Sequence, residues 1–152
     1  MKVNTKIRYG LRTMLEIALC EENSGILQKD IAKNQQISQK YLDQIISALK
    51  ASDLITNKSG KKSGYVLKRP KSDIKIYDIY KAFEPELSIV HCVNRPVTCF
   101  ITKLCVANEY WAGLNEVILN YLKGTTLEDI TNKHLELSAN MAGIKPELNS
   151  CG

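Results

Sequence analysis

Between Thr5 and Cys20 the apolar residues Ile7, Leu11, Met14, Leu15 and Ala18 fall at i, i+4, i+7, i+8 and i+11, the stripe of a helix with one buried face. Glu21-Glu22-Asn23-Ser24-Gly25 breaks that stripe with a polar turn. A short helix over Gln28 to Asn34 turns Ile31 and Ala32 inward. After Gln35-Gln36-Ile37, the hydroxyl of Ser38 is placed to cap a longer helix over Gln39 to Ser52. That helix buries Leu42, Ile45, Ile46 and Leu49 and leaves Gln39, Lys40, Asp43, Gln44, Ser47 and Lys50 outside. Two short helices joined by a tight turn, the second polar on its free face, predict a helix-turn-helix.

The period then changes. Leu54-Ile55-Thr56 and Tyr65-Val66-Leu67 are short β-prone runs around Asn57-Lys58-Ser59-Gly60-Lys61-Lys62-Ser63-Gly64, which predicts a basic hairpin. A helix-turn-helix followed by such a hairpin is a winged helix. Ser72 or Asp73 is expected to cap a helix through Ile76, Ile79, Tyr80 and Phe83, which Glu84-Pro85-Glu86 stops. Leu87 to Lys103 reads as an irregular loop. From Val106 to Lys123 the helical period returns, with Trp111, Leu114, Val117, Ile118, Tyr121 and Leu122 on one stripe. Gly124 is the expected stop, and Thr126 with Asp129 resembles a capping box opening a short last helix. The stripe around Trp111 is wider than a small winged helix needs, so a second copy of the chain, the first helix of the same chain, or both together cover it.

The expected fold class is therefore mainly α. A winged helix-turn-helix DNA-binding domain spans 1–83, a cysteine-bearing loop 84–105, a long dimerisation helix with a short following helix 106–135, and a loose tail 136–152. Composition agrees with an ordinary globular chain: 152 residues, 44% hydrophobic and 24% charged. No apolar run approaches the ~18 residues of a membrane span, and Met1-Lys2-Val3-Asn4-Thr5-Lys6 has no apolar stretch behind its charge. A cytoplasmic protein whose cysteines are thiols or ligands is expected. There is no phosphate-binding glycine loop, no nucleophile–base spacing and no paired acid set, so neither an enzyme nor a small-molecule substrate is expected.

Charge sharpens the picture. Residues 1–70 carry 13 basic and 6 acidic side chains, a balance of +7, whereas residues 71–152 carry 8 and 10, a balance of −2. A basic front half suits a polyanion such as double-stranded DNA. In a major groove, Gln39, Tyr41, Asp43 and Gln44 are the candidates for base edges, since Gln matches adenine and a carboxylate accepts from cytosine N4. Tyr41 suits core packing equally well. Lys58, Lys61 and Lys62 of the wing, with Lys6 and Arg8 of the first helix, would neutralise phosphates.

Cys92, Cys99 and Cys105 form a C-x6-C-x5-C series without the tight pairs of structural zinc sites. By spacing alone they are either unliganded thiols or ligands of a larger object such as an iron–sulfur cluster. Cys20 suits a small buried hydrophobe and Cys151 a free thiol. His91 adjoins Cys92 and is either a surface residue or a further ligand.

Thr5-Lys6-Ile7-Arg8-Tyr9-Gly10-Leu11-Arg12, Ile37-Ser38-Gln39-Lys40-Tyr41-Leu42-Asp43-Gln44-Ile45 and Gly60-Lys61-Lys62-Ser63-Gly64-Tyr65-Val66-Leu67 resemble the opening helix, recognition helix and wing of the Rrf-type winged-helix regulators, the family of IscR, NsrR and CymR. The similarity spans about residues 1–133. It implies a homodimeric transcriptional regulator whose operator binding is set by an iron–sulfur cluster, sensing cluster supply, redox state or nitric oxide. Carried over by position, Cys92, Cys99 and Cys105 would ligate iron. Ser38, Tyr41, Asp43 and Gln44 would face DNA, with Gln28 counted in the same set. The chain departs from the pattern at Asn108, where IscR-like members supply a histidine, at Arg8, where NsrR-like members supply an aspartate, and at Ser59, where IscR-like members often carry arginine. The resemblance thus leaves the fourth ligand unassigned. The alternatives are a cluster-free regulator of the same fold under control of a partner protein or thiol oxidation, and a zinc-stabilised interaction module.

Overall fold

The computed structural model describes residues 3–20, 25–59, 64–94 and 104–141. In chain order these form α1 (Thr5–Leu19), α2 (Gln28–Gln35), α3 (Gln39–Ala51), β1 (Ile55–Asn57), β2 (Tyr65–Leu67), a 3-10 turn (Lys71–Asp73), α4 (Ile76–Lys81), α5 (His91–Asn94), α6 (Val106–Gly124) and α7 (Leu127–Asn140). No helix among them is long and apolar enough to cross a membrane. The fold is mainly helical with one small antiparallel sheet, as the hydrophobic pattern predicts.

Local chemistry explains the front half. The Asn4 side chain accepts from Lys6 N at 2.8 Å and starts α1. Gln36 takes the left-handed conformation, φ 53°, and ends α2 there, while Ile37 N–H donates to the Ala32 carbonyl. Ser38 Oγ then accepts from Tyr41 N at 3.2 Å and opens α3. The turn thus directs α2 and α3 onto a shared core in which Met14, Ile17, Ile31, Leu42, Ile45, Leu49, Leu54, Ile55, Ile74, Ile79 and Leu127 are almost wholly buried. In the hairpin Ile55 pairs with Leu67, Thr56 with Val66 and Asn57 with Tyr65. Ile26 adds an antiparallel bridge to Tyr65, so the wing is tied to the segment before α2.

Four features depart from the expectations. The helix expected from Ser72 or Asp73 begins at Ile76, because the intervening backbone is used elsewhere. Ile74 is extended and buried, its carbonyl accepts from Leu127 N at 2.8 Å, and Ile76 N donates to the Thr125 carbonyl at 3.0 Å. Asp78 caps the delayed start by accepting from Lys75 N at 3.0 Å. The stretch read as irregular contains the short α5. The last helix is not short: α7 runs 14 residues from the Thr126–Asp129 capping box. Cys20, buried at the end of α1, is disulfide-bonded rather than a thiol.

Glu16 joins α1 to the end of α2. Its carboxylate accepts from Asn34 Nδ2 at 3.1 Å and from Gln35 Nε2, and burial holds its pKa above the ordinary carboxylate value despite those two donors and Arg12. A raised pKa in the folded state means the native protein binds the extra proton. This contribution to stability is therefore present below pH ~4.3 and is lost as pH rises through the native pKa. Asn34 and Gln35 each donate to one oxygen of the carboxylate, so a glutamine at position 16 keeps one acceptor oxygen for the two donors. Urea unfolding is expected to place Glu16→Gln within about 1 kcal/mol of the parent at pH 7 and to remove this acid-side slope. Glu16→Ala, which strands two amide donors, is expected to cost about 2 kcal/mol.

Candidate functional site

The outer side of α3 exposes Gln39, Asp43 and Gln44, three of the four residues expected to meet base edges. Tyr41, the fourth, is half-buried and stands edge-on to Tyr9 of α1 with ring centroids 5.9 Å apart, while Arg12 lies over the Tyr9 ring. That contact sets the start of α1 beside the start of α3, and Lys6 and Arg8 of α1 are both exposed. Ser38 is exposed, and its hydroxyl already serves the α3 cap. Lys58 is exposed at the base of the wing, with its N–H donating to the Gly64 carbonyl. Lys61 and Lys62 lie outside the described residues.

Side chains from three elements converge at the junction of wing and α3. Gln28 Nε2 donates to Asp43 Oδ1, and Tyr65 Oη donates to Gln28 Oε1 at 3.1 Å. Lys50 Nζ donates to Asn57 Oδ1 at 2.7 Å and lies 5.8 Å from the Tyr65 ring centroid. Burial and the Asp43 charge both push the Tyr65 phenol upward in pKa, so it is a neutral donor at physiological pH. Gln28, expected to face DNA, is thus engaged within the protein. Tyr65 and Lys50 were not among the expected functional residues, because their partners come from other elements. The only local signal was the Gly64-Tyr65 ending of the wing.

Later in the chain Cys92 is in α5 and Cys105 is the N-cap of α6. Both are half-buried free thiols, while Cys99 lies outside the described residues. Asn108 joins the two: its Nδ2 donates to the Cys92 carbonyl and its backbone N–H to the Cys105 carbonyl, each at 3.0 Å. Asn115, buried about two turns further along α6, accepts from Ile89 N at 3.1 Å and anchors the chain leading into α5. Among the described residues no three His, Cys, Asp or Glu side chains meet closely enough to hold a metal ion. His91 is exposed beside Cys92.

The opposite side of α6 carries Val106, Tyr110, Trp111, Leu114, Val117 and Tyr121, all exposed, with Val117 at 64% and Tyr121 at 75%. The predicted stripe therefore divides. Ile118 and Leu122 turn toward their own chain and the rest form an open apolar strip, larger than the scattered apolar residues usual on a monomer. Beneath it α6 packs against α4, and Lys123 of α6 lies 5.0 Å from the Tyr77 ring centroid of α4.

The family model described as Rrf2, iron-dependent transcriptional regulator, matches residues 3–133. The chain is 31% identical over 146 residues to the Rrf2 protein of Nitratidesulfovibrio vulgaris, covering 96% of this chain and 97% of that one. Among solved structures it is similar to CymR, the global cysteine regulator of B. subtilis, with TM-score 0.74 and 30% identity over 88% of this chain and 98% of that one. It is also similar to IscR of T. potens, with TM-score 0.73 and 27% identity over 96% and 93% of the two chains.

Proposed function

The chain belongs to the Rrf2 family of transcriptional regulators, proteins with a DNA-binding fold rather than enzymes, and from that premise we propose that it is a cytoplasmic homodimer whose operator binding is governed by an iron–sulfur cluster on Cys92, Cys99 and Cys105. The observation that carries the proposal is the junction at Asn108, which ties the backbone of α5 at Cys92 to the first turn of α6, the turn that Cys105 caps. Cys92 and Cys105 are both half-buried free thiols, a state that suits thiolate ligation of iron. A bound cluster supplies one-electron chemistry and sensitivity to oxidants. The chain's own residues do the rest.

Lys6, Arg8, Lys58, Lys61 and Lys62 neutralise phosphates and set register, while Gln39, Asp43 and Gln44 read base edges from α3. Engaging the cysteines fixes α5 against α6 through Asn108 and Asn115. Because α6 also packs on α4 and presents its apolar strip to a second copy, a shift of α5 on α6 alters the spacing of the two recognition helices. Coupling of this kind needs two dimer geometries with different operator affinity and no chemistry on a substrate.

The experiment is iron and acid-labile sulfide per chain, with a visible spectrum, on protein purified without oxygen, alongside operator affinity. Near-equal iron and sulfide at about two or four per chain is expected, with both cluster content and operator affinity altered in Cys92→Ala. If Cys92→Ala leaves cluster content and affinity unchanged, this control mechanism is wrong. Colourless protein that cannot be reconstituted moves the reading to cluster-free control by a partner or by thiol oxidation. The likeness to the CymR structure favours that reading as the second one.

A further inference from the structure

Asp43 is an exposed carboxylate on a helix, and such a side chain ordinarily samples several rotamers. Here its position is constrained from outside its own helix. The carboxylate can only accept, so the intervening Gln28 amide turns Nε2 toward Asp43 and Oε1 toward Tyr65, to which the Tyr65 hydroxyl donates. Tyr65 is itself fixed by the two backbone hydrogen bonds it exchanges with Ile26, at 2.8 and 3.2 Å, and by Lys50 over its ring. A continuous path thus runs from the wing strand through α2 to the outer side of α3.

We propose that Tyr65 and Gln28 are positioning residues for base discrimination, holding the Asp43 carboxylate in one rotamer from which its remaining lone pairs accept a hydrogen bond from an exposed base amine such as cytosine N4. The inference rests on the reading of α3 as the DNA-facing helix and deepens it. Gln28 spends its amide inside the protein and contributes to sequence preference without touching DNA. The wing, usually a source of phosphate contacts, also sets specificity through its first strand residue, Tyr65 of β2. Preorganisation of this kind lowers the ordering cost of the contact and leaves the long-range charge of the surface unaltered.

The test uses full-length protein and duplexes of about 30 base pairs recovered by selection from a randomised library. Affinities for every single-base-pair substitution of the recovered site are measured with the parent, Asp43→Ala, Tyr65→Phe, Gln28→Met and the Asp43→Ala/Tyr65→Phe double variant. Asp43→Ala is expected to flatten the preference at one base pair in each half-site. Tyr65→Phe and Gln28→Met are expected to reduce discrimination at that same pair by about three- to tenfold, with the salt dependence and thermal midpoint unmoved. In the Asp43→Ala background Tyr65→Phe is expected to change nothing further, which a merely structural role in the wing would not produce. Parental discrimination at that pair in both Tyr65→Phe and Gln28→Met, or a uniform loss at all pairs, overturns the positioning role alone. An Asp43→Ala protein with unchanged preference everywhere overturns the base-reading role of Asp43 as well.

Discussion

Replacing Gly64 by alanine is expected to lower the stability of the protein by about 3 kcal/mol and to abolish tight operator binding. An added Cβ at this position would stand 2.4 Å from the carbonyl carbon and 2.5 Å from the nitrogen and oxygen of Ile26, all backbone atoms that cannot rotate away. The segment before α2 would have to retreat, and the pair of hydrogen bonds between Ile26 and Tyr65 would be lost with it. Two such bonds at about 1 kcal/mol each, with about 1 kcal/mol of residual overpacking, give the stated figure. The cause is close approach of two chain segments and has nothing to do with left-handed backbone. Urea unfolding checks the stability and filter binding checks the operator affinity. Because the Ile26–Tyr65 pairing also seats the Tyr65 hydroxyl, a Gly64→Ala protein of parental stability and parental affinity would remove the structural basis assigned here to the wing.

The parts of this fold that were legible in the sequence are those whose determinants lie within a turn or two. Ile7 to Ala18, Leu42 to Leu49 and the paired runs Leu54-Ile55-Thr56 and Tyr65-Val66-Leu67 carry their own periods, and Ser38 and Thr126 are caps recognisable by residue type. The start of α4 was not legible, because it is displaced by Ile74 and Ile76 pairing with Thr125 and Leu127, some fifty residues away. The length of α7 was hidden for a different reason. Beyond Leu127 and Thr131 it buries little, so its continuation to Asn140 leaves a weak apolar signal. The same distinction runs through the candidate site. Gln39, Asp43 and Gln44 follow from the polar side of one helix, whereas the partners of Asp43 come from α2 and β2 and no single-helix pattern names them. α6 also carries Glu109, Glu116, Asn120 and Lys123, so Asn108 and Asn115 are two of several polar positions on it. Each is explained only once its contact in the segment around α5 is seen.

Introducing a charge at Val117 is expected to convert the protein to a monomer and to lower operator affinity by at least ~100-fold. Val117 lies within the exposed strip that runs from Val106 to Tyr121, 64% open to solvent in the single chain, so the folded monomer tolerates a glutamate there. The reverse side of α6 is already occupied by its own chain, with Asn115 buried at 4% exposure, which leaves the strip as the one apolar surface of this helix still available. In a two-fold dimer each substitution occurs twice, and two desolvated carboxylates without partners cost several kcal/mol against an interface. Operator binding then loses the effective concentration that links one half-site to the other, a factor of roughly 10² to 10⁴. Sedimentation is expected to give a single chain for Val117→Glu with the thermal unfolding of its winged helix retained, and the surviving affinity is expected to depend on one half-site only. A Val117→Glu protein that still sediments as a dimer places the interface elsewhere. A parent that is monomeric while binding a two-fold operator tightly would mean that the strip on α6 serves another partner.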